Sequence, residues 1–275
     1  MCGLPNTSQV KISICPQMAD PERPNPQGIF DLTGRVACVT GASSGLGRRT
    51  AMALAAAGAQ VVGVARRADV LESLKADIGE NCAVVVADVA DRAGIPALVQ
   101  AVSTPFGAPD ILVHAAGINT REAADDVTPE GWDQTIALNL SAPFFLSQAM
   151  VPEMRKKGWG RIVNFASLQT TRAFPGGIAY GATKAAIGQL TRAMAEAWSK
   201  DGITANAIGP GFFPTELTQA VFDDPERAAR NAAQTCINRN GRMEDIDGPL
   251  IFLCSDASSF VTGQVLMVDG GYTSK

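Results

Sequence analysis

Short apolar segments alternate with longer alanine-rich segments from residue 35 onward. Seven of the short segments have the length of a strand, namely 36–40, 60–65, 83–87, 110–114, 161–166, 203–208 and 264–268. Such apolar runs are typical of parallel strands that are buried on both faces. The segments between them, for example 45–57 and 178–200, have helical length. The alternation predicts an α/β fold with a doubly wound, seven-stranded parallel sheet and helices on both faces.

Two segments depart from this pattern. Residues 1–30 are rich in proline and contain one short apolar stretch, which predicts a flexible N-terminal tail before a single domain over 31–275. Residues 211–243 interrupt the alternation directly after a predicted strand. Insertions at the carboxyl end of a strand lie where a ligand binds, so we predict a lid here. An ordinary surface excursion is the alternative.

Composition narrows the function. The 275-residue chain is 46% hydrophobic and 18% charged, which suits one large globular domain. The formal net charge of −4 argues against nucleic acid or an anionic membrane surface as the main partner. No apolar stretch is long enough for a membrane span, and no secretory signal is recognisable. The cysteines form no Cys-x-x-Cys pair, and the only histidine, His114, has no metal-binding neighbours. We expect a cytoplasmic protein that acts on a small molecule without a metal.

A glycine-rich turn follows the first predicted strand and leads into an alanine-rich helix. Glycine allows a tight turn and a close approach of the backbone, and the N–H groups of a helix start attract an anion. The turn therefore predicts a pyrophosphate-binding loop formed by Gly41, Ser43, Ser44, Gly45, Leu46 and Gly47. The spacing Gly-x-x-x-Gly-x-Gly differs from the commoner Gly-x-Gly-x-x-Gly, so the position after the first strand matters as much as the pattern.

The end of the second predicted strand indicates which dinucleotide binds. An acidic residue there would bind a ribose 2′-hydroxyl, whereas an arginine would accept a 2′-phosphate. The sequence at this point reads Val64-Ala65-Arg66-Arg67 and has no acid. This favours NADP(H) as the cofactor, with NAD(H) possible. The alternative is that both arginines are solvated at the start of a helix.

A phenol, an ammonium and a hydroxyl lie close together in the sequence between residues 167 and 184. On a helix over 178–200, Tyr180 and Lys184 share one face, where the ammonium would favour ionisation of the phenol. Ser167 ends a predicted strand, so its hydroxyl would lie at the carboxyl edge of the sheet, where ligands bind. Tyr-x-x-x-Lys alone is a weak signal, but beside a dinucleotide loop it indicates a proton-transfer site.

These features resemble the short-chain dehydrogenase/reductase family over about residues 32–273. The matching segments are Thr40–Gly47, Asp88–Val89, Asn139, Ser167, Tyr180, Lys184, Pro210–Gly211 and Val268–Gly271. The resemblance implies a Rossmann-type sheet in the order 3-2-1-4-5-6-7 and hydride transfer between a nicotinamide and a carbonyl or alcohol. It also implies cofactor contacts from Asp88, Val89, Ala116, Gly117, Tyr180, Lys184, Pro210, Gly211 and Thr215.

The same resemblance implies a role for each catalytic residue. Tyr180 would transfer a proton to or from the reacting oxygen, and Ser167 would hydrogen-bond the developing alkoxide. Lys184 would lower the pKa of the phenol and hold the nicotinamide ribose, and Asn139 would anchor a water that relays protons. Two positions depart from the family pattern. His114-Ala115 replaces a frequent pair of asparagines without touching a catalytic group, and Ser44 replaces the basic residue of many NADP-dependent members, which weakens the case for NADP(H).

Within the family, segments 117–121, 167–169 and 209–216 are most similar to sugar-acid and polyol reductases of the gluconate 5-dehydrogenase type. We therefore expect a sugar acid or polyol such as gluconate or 5-oxogluconate as substrate, bound by Arg121, Ser167, Gln169 and Tyr180. The Arg121 guanidinium could bind a carboxylate in bidentate fashion. Alternatively, Arg121 is a solvated surface group, and an apolar pocket for a less polar ketone is lined by Phe174, Phe212 and Phe213.

Two other functions are open at this point. A 3-oxoacyl-carrier-protein reductase would need a basic patch for its acidic partner, and the candidates for that patch are Arg121, Arg155, Lys156, Lys157 and Arg172. A regulatory protein that senses NADP(H) would need the phosphate loop but not the proton-transfer residues.

The predicted helical segments 129–154 and 178–200 carry small and apolar residues on more than one face. Such faces indicate burial against another subunit. We expect a homotetramer or a homodimer.

Overall fold

The computed structural model describes residues 28–275. Its strands are β1 (Val36–Thr40), β2 (Gln60–Ala65), β3 (Cys82–Val86), β4 (Ile111–His114), β5 (Gly160–Phe165), β6 (Ile203–Pro210) and β7 (Val265–Val268). All neighbouring pairs are parallel, in the order β3-β2-β1-β4-β5-β6-β7. The fold class and the strand order expected from the sequence are confirmed. The predicted N-terminal tail lies outside the described residues, except for a short turn at Gly28–Phe30.

Helices connect the strands as the alternation predicts. They are α1 (Gly45–Ala56), α2 (Ala68–Ile78), α3 (Ile95–Ser103), α4 (Pro129–Ile136), α5 (Ala142–Lys157), α6 (Ile178–Trp198), α7 (Gln219–Phe222), α8 (Pro225–Gln234) and α9 (Asp247–Cys254). A π-helical turn at Ala137–Ser141 joins α4 to α5. The short helices α7 and α8 lie in the segment 211–243 that interrupts the sequence pattern.

The sheet separates two apolar cores. On one face Leu54 of α1 and Leu250 of α9 belong to a buried cluster, and on the other face Met150 of α5 and Met194 of α6 belong to a second one. Every residue of β1 and β5 is buried, because both faces of these central strands are covered. This is why the strands appear in the sequence as uninterrupted apolar runs rather than as alternating patterns.

The order of the strands reverses at β1. This strand pairs with β2 on one side and with β4 on the other, so the connections that follow β1 and β4 leave in opposite directions. A crevice opens between such connections at the carboxyl ends of the strands, and ligands of open α/β sheets bind there.

His114 ends β4 inside the protein. Its Nε2 lies 2.9 Å from the Ser147 hydroxyl, and burial lowers the pKa of the imidazole to about 3. The imidazole is therefore a neutral, hydrogen-bonded core group. Among residues 28–275, no group of His, Cys, Asp or Glu side chains is placed to share a metal ion. No helix in this range has the length and apolar character needed to cross a membrane.

Candidate active site

A cavity of about 770 Å³ opens at the carboxyl edge of the sheet. All the predicted site residues line it except Asn139. They are Gly41 and Ser43–Gly47 after β1, Arg66 and Arg67 after β2, Asp88 and Val89 after β3, Ala116, Gly117 and Arg121 after β4, Ser167 and Gln169 after β5, Tyr180 and Lys184 on α6, and Pro210, Gly211 and Thr215 at or after the end of β6. The fold thus gathers residues from seven segments of the sequence into one site.

The turn after β1 has the geometry of a phosphate-binding loop. Gly41 and Gly45 have φ values of +69° and +52°, which favour glycine. A Cβ on Gly41 would lie 2.7 Å from the Ala116 nitrogen, and a Cβ on Gly47 would lie 2.2 Å from the Gly41 oxygen. Helix α1 begins at Gly45, so the unpaired N–H groups of its first turn belong to the cavity lining. The loop therefore fits a dinucleotide pyrophosphate.

The β2 end of the site carries paired charges. The Arg66 Nη1 lies 4.0 Å from the Asp88 Oδ2, and Arg67 forms an ion pair with Glu216 from the far side of the cavity. The Arg66 side chain is 64% exposed and the Arg67 side chain 45%, and each faces a carboxylate instead of being simply solvated at a helix start. Ala65, the last residue of β2, is buried and leaves the strand end without an acid, as the sequence indicates.

Ser167, Tyr180 and Lys184 meet at the other end of the cavity. Ser167 follows β5, and its hydroxyl accepts a hydrogen bond from the Gln169 N–H at 3.1 Å. Lys184 is buried, its Nζ donates to the Phe165 carbonyl at 2.7 Å, and it lies 5.5 Å from the centre of the Tyr180 ring. The helix spacing predicted from the sequence therefore brings phenol and ammonium to one place.

The pKa of the Tyr180 phenol differs from the expectation. Burial raises this pKa. A hydrogen bond with Ser167 and the positive charge of Arg121 lower it, but they offset only part of the rise. The predicted shift of the phenol towards neutral pH is not seen in this structure, because desolvation outweighs the groups that lower the pKa, and Lys184 is not one of those groups. Burial also lowers the pKa of Lys184 to about 8. At neutral pH the phenol is protonated, which suits a proton donor.

Asn139 lies behind the cavity lining, on the π-helical turn. Its Oδ1 accepts from the Ile118 N–H at 2.9 Å, and its Nδ2 donates to the Ile118 carbonyl at 2.8 Å and to the Thr183 hydroxyl at 3.2 Å. Its carboxamide therefore holds the loop after β4 against α6, next to Lys184. A π-helical turn is often found at functional sites. The predicted water-anchoring role of Asn139 stays a prediction.

Arg121 joins the two sides of the cavity. It has a φ of +56°, which is uncommon for a residue with a side chain, and its Nη2 donates to the Leu217 carbonyl. Gln169 packs against the start of α6, where a Cβ on Gly177 would lie 2.3 Å from its Oε1. Arg121 is exposed, but its guanidinium is held by the Leu217 carbonyl, lines the cavity and lowers the pKa of Tyr180 through its charge.

Further residues line the cavity that the motifs do not identify. Glu216 lies at the β2 end, and Arg227 and Asn231 of α8 face the cavity one helical turn apart. The four-residue spacing of Arg227 and Asn231 places them on one face of a helix. The sequence does not show that this face of the helix is directed towards the cavity.

The three phenylalanines considered for an apolar pocket, Phe174, Phe212 and Phe213, do line the cavity. Phe174 and Phe212 are also in ring contact with each other and with Tyr272, at centroid distances of 5.7–6.3 Å. The substrate side therefore combines arginines with an aromatic wall.

The five basic residues considered for a carrier-protein patch do not form one. Arg155, Lys156 and Lys157 end α5, which leads into the amino end of β5 at the opposite edge of the sheet, and each is paired with an acid. Arg172 is bound to the carbonyls of Thr273 and Lys275. Of the five, only Arg121 lines the cavity.

Comparisons with known proteins agree with this geometry. A family model described as enoyl-(acyl carrier protein) reductase matches residues 41–273. Gluconate 5-dehydrogenase of Gluconobacter oxydans (strain 621H) is 40% identical over 248 residues, which are 89% of this chain and 97% of that protein. 3-Oxoacyl-[acyl-carrier-protein] reductase of Escherichia coli (strain K12) is 36% identical over 242 residues, 88% of this chain and 98% of that protein.

A solved structure is also similar to this chain in fold and in sequence. The crystal structure of a gluconate 5-dehydrogenase from Burkholderia cenocepacia J2315 in complex with NADP and tartrate has a TM-score of 0.87 to this chain at 38% identity. The match covers 91% of this chain and 99% of that one. With the sheet order, the glycine loop and the gathered Ser167, Tyr180 and Lys184 already described, these matches show that the chain belongs to the short-chain dehydrogenase/reductase family of NAD(P)-dependent oxidoreductases.

Proposed function

We propose that this enzyme uses NADP(H) to interconvert a carbonyl and a secondary alcohol on a sugar acid, such as 5-oxogluconate and gluconate. The observation that carries the proposal is that Arg121 lines the same cavity as Ser167 and Tyr180, with its charge near enough to lower the pKa of the phenol. A substrate carboxylate bound by Arg121 would lie within one small molecule's length of the proton donor. Relatives and structural neighbours named as gluconate 5-dehydrogenases, one of them with NADP bound, support the same substrate and cofactor.

The chain's own residues would handle the oxygen and its proton. In reduction, Tyr180 donates its phenolic proton to the carbonyl oxygen, and the Ser167 hydroxyl donates a hydrogen bond to the same atom as negative charge develops. In oxidation, Tyr180 must first be ionised, and its phenolate then takes the proton from the substrate hydroxyl. A bound nicotinamide supplies the hydride in one direction and accepts it in the other. Lys184 would hold its ribose, and Asn139 would anchor the water that returns protons to Lys184.

Polar residues of segment 211–243 would complete the substrate site. Arg227 and Asn231 line the same cavity as Arg121, from α8 on the other side. Two guanidinium groups can bind a carboxylate and neighbouring hydroxyls, and the aromatic wall of Phe174 and Phe212 suits the apolar face of a sugar chain. We propose that this segment acts as the substrate lid. Reduction of a carrier-linked 3-oxoacyl group is less favoured, because the predicted basic patch is dispersed.

A panel of substrates tests the proposal. Gluconate, 5-oxogluconate, a neutral polyol and a carrier-linked 3-oxoacyl substrate are assayed spectrophotometrically with both phosphorylated and unphosphorylated nicotinamide cofactors. We expect turnover of the sugar acids with NADP(H). Preferential turnover of the carrier-linked substrate would contradict the proposal.

Matched arginine variants test the substrate contacts. Arg121→Gln or Arg227→Gln should raise KM for gluconate by about tenfold, since each removes a charge-assisted hydrogen bond, and should leave KM for the neutral polyol within about twofold. Arg230→Gln is the control, because Arg230 lies on the same helix, pairs with Glu226 and is outside the cavity lining. Equal losses on the acid and on the polyol would argue against carboxylate recognition.

We further propose that the enzyme is a cytoplasmic homotetramer or homodimer whose subunits meet through α4, α5 and α6. Ala182 and Ala185 of α6 are exposed in the single chain, and Ile178 at its start is 50% exposed. Small and apolar exposed positions on a long helix suit a helix-to-helix subunit contact. Light scattering of the purified protein measures the assembly, and a monomer would contradict the proposal.

A further inference from the structure

The Glu216 carboxylate is held by Arg67, which is expected to bind the 2′-phosphate of the cofactor, and by Ser44 of the glycine-rich loop. Arg67 donates from Nη1 to Oε1 and from Nη2 to Oε2, both at 3.1 Å. The Ser44 hydroxyl donates to Oε2 at 3.0 Å, and Arg67 Nη2 also donates to the Ser43 hydroxyl at 3.0 Å. A guanidinium flanked by hydroxyls is a typical anion-binding arrangement, and here an anion of the protein itself occupies it.

The Glu216 carboxylate and a 2′-phosphate would compete for the same N–H donors of Arg67. Ala65 leaves the end of β2 without an acid, and Arg67 lies where a guanidinium would accept a 2′-phosphate. Arg67 cannot make its bidentate contact with Glu216 and bind a phosphate through the same N–H groups at the same time. Two anions left side by side would also repel each other.

The Glu216 side chain is able to leave. It is 62% exposed, and Arg67 is 45% exposed, so the pair is close to solvent and its loss leaves no buried charge. A second, open depression of about 620 Å³ borders Glu216 on the side of α1 and is lined by Arg48 and Arg49. A carboxylate that swings out of the dinucleotide cavity would enter this open depression, where Arg48 and Arg49 are paired with Asp77 and Asp247.

We infer that Glu216 is a cofactor-selectivity residue, whose carboxylate competes with the 2′-phosphate of NADP(H) for Arg67 and Ser44 and is displaced when that phosphate binds. The inference rests on the proposed cofactor site. Glu216 thus weakens the preference for NADP(H) that Arg67 provides. NAD(H), which has a hydroxyl at this position, binds without breaking the pair.

The test measures nucleotide binding to the full-length protein rather than turnover. Dissociation constants are determined by calorimetry for NADPH, NADH, 2′,5′-ADP and 5′-AMP with the parent protein and with Glu216→Gln and Glu216→Ala. Both substitutions should tighten binding of NADPH and 2′,5′-ADP by about three- to tenfold, and change binding of NADH and 5′-AMP less than about twofold. The alanine variant covers the case in which a glutamine still accepts a hydrogen bond from Arg67.

Glu226→Gln is the matched control. It removes the same charge from the same segment, but Glu226 pairs with Arg230 and is outside the cavity lining. If it tightens NADPH binding as much as Glu216→Gln does, the effect is one of net charge and the inference is wrong. Unchanged NADPH to NADH affinity ratios in both Glu216 variants, or equal weakening of both nucleotides, would also overturn it.

The outcomes separate the inference from the proposed function. A parent protein that binds neither NADPH nor 2′,5′-ADP contradicts the proposed cofactor. A parent protein that binds both, with Glu216 variants of unchanged selectivity, contradicts only the role of Glu216.

Discussion

At the β5 end of the cavity Lys184 is buried and fixed by the backbone, and Ser167 and Tyr180 are partly buried, whereas the charged groups at the β2 end are exposed and fixed by one another. Lys184 is 5% exposed and donates to a strand carbonyl. Arg67 and Glu216 are about half exposed and hold each other across the cavity. Proton transfer needs groups whose pKa values are set by a rigid, dry environment. Recognition of a charged cofactor needs donors that can exchange one anion for another. Solvent exposure lowers the free-energy cost of that exchange, because an exposed ion pair contributes little to stability.

Tyr180→Phe is the strongest test of the buried end. The substitution keeps the ring and removes the proton donor, so kcat should fall by about 10² to 10⁴, while the Kd for NADPH should change little. Steady-state assays and nucleotide titration measure the two quantities. Tyr272→Phe is the control, since Tyr272 is the only other tyrosine and takes part in the aromatic wall through its ring. Retained turnover in Tyr180→Phe would mean that another group donates the proton.

Arg67→Gln tests the exposed end and should have the next largest effect. Loss of the guanidinium should weaken binding of NADPH by about tenfold or more, because hydrogen bonds to charged groups contribute about 1.5–3 kcal/mol, and should leave NADH nearly unchanged. Calorimetric titration of both nucleotides checks this. Arg66→Gln serves for comparison, since Arg66 faces Asp88 at 4.0 Å and should contribute less. If NADH binding weakens equally, Arg67 does not act on the 2′-position.

The pH dependence of carbonyl reduction tests whether burial controls the chemistry. The pKa of Lys184 is lowered to about 8, so its positive charge is present below that pH and lost above it. The pKa of Tyr180 is raised, so the phenol keeps its proton over the same range. Because Lys184 would hold the cofactor ribose and pass on the protons that replace the one Tyr180 donates, the rate should be level near neutral pH and fall by up to about tenfold per pH unit above about 8. A rate that stays level well above pH 9, with the fold intact by circular dichroism, would contradict this assignment.

The sequence predicts the buried end well, because its determinants are local. Tyr180 and Lys184 lie four residues apart on one helix, and the glycines of the phosphate loop follow one strand. The sheet is predictable for a similar reason, since strands covered on both faces appear as apolar runs. Even the largest shift among the predicted strand ends is small, with β6 continuing to Pro210 instead of ending at residue 208.

The exposed end depends on contacts that no local pattern contains. Arg67 and Glu216 are 149 positions apart, and Glu216 lies in a segment without regular hydrophobic periodicity. The direction in which α8 presents Arg227 and Asn231 is set by that same segment. The raised pKa of Tyr180 was also missed, because spacing shows which charges are near a phenol but not how far the surrounding protein excludes water.

The hydrogen-bonded imidazole of His114 has a consequence for the chemical probing of this enzyme. Its pKa of about 3 keeps it neutral at every pH at which the fold is of interest, and it is enclosed by the core. Since the sequence contains no other histidine, diethyl pyrocarbonate, which acylates accessible imidazoles, should leave the native protein's histidine unmodified. The same reagent applied during denaturation would then label His114 only as the centre of the sheet opens, which makes this one residue a reporter of unfolding rather than of catalysis.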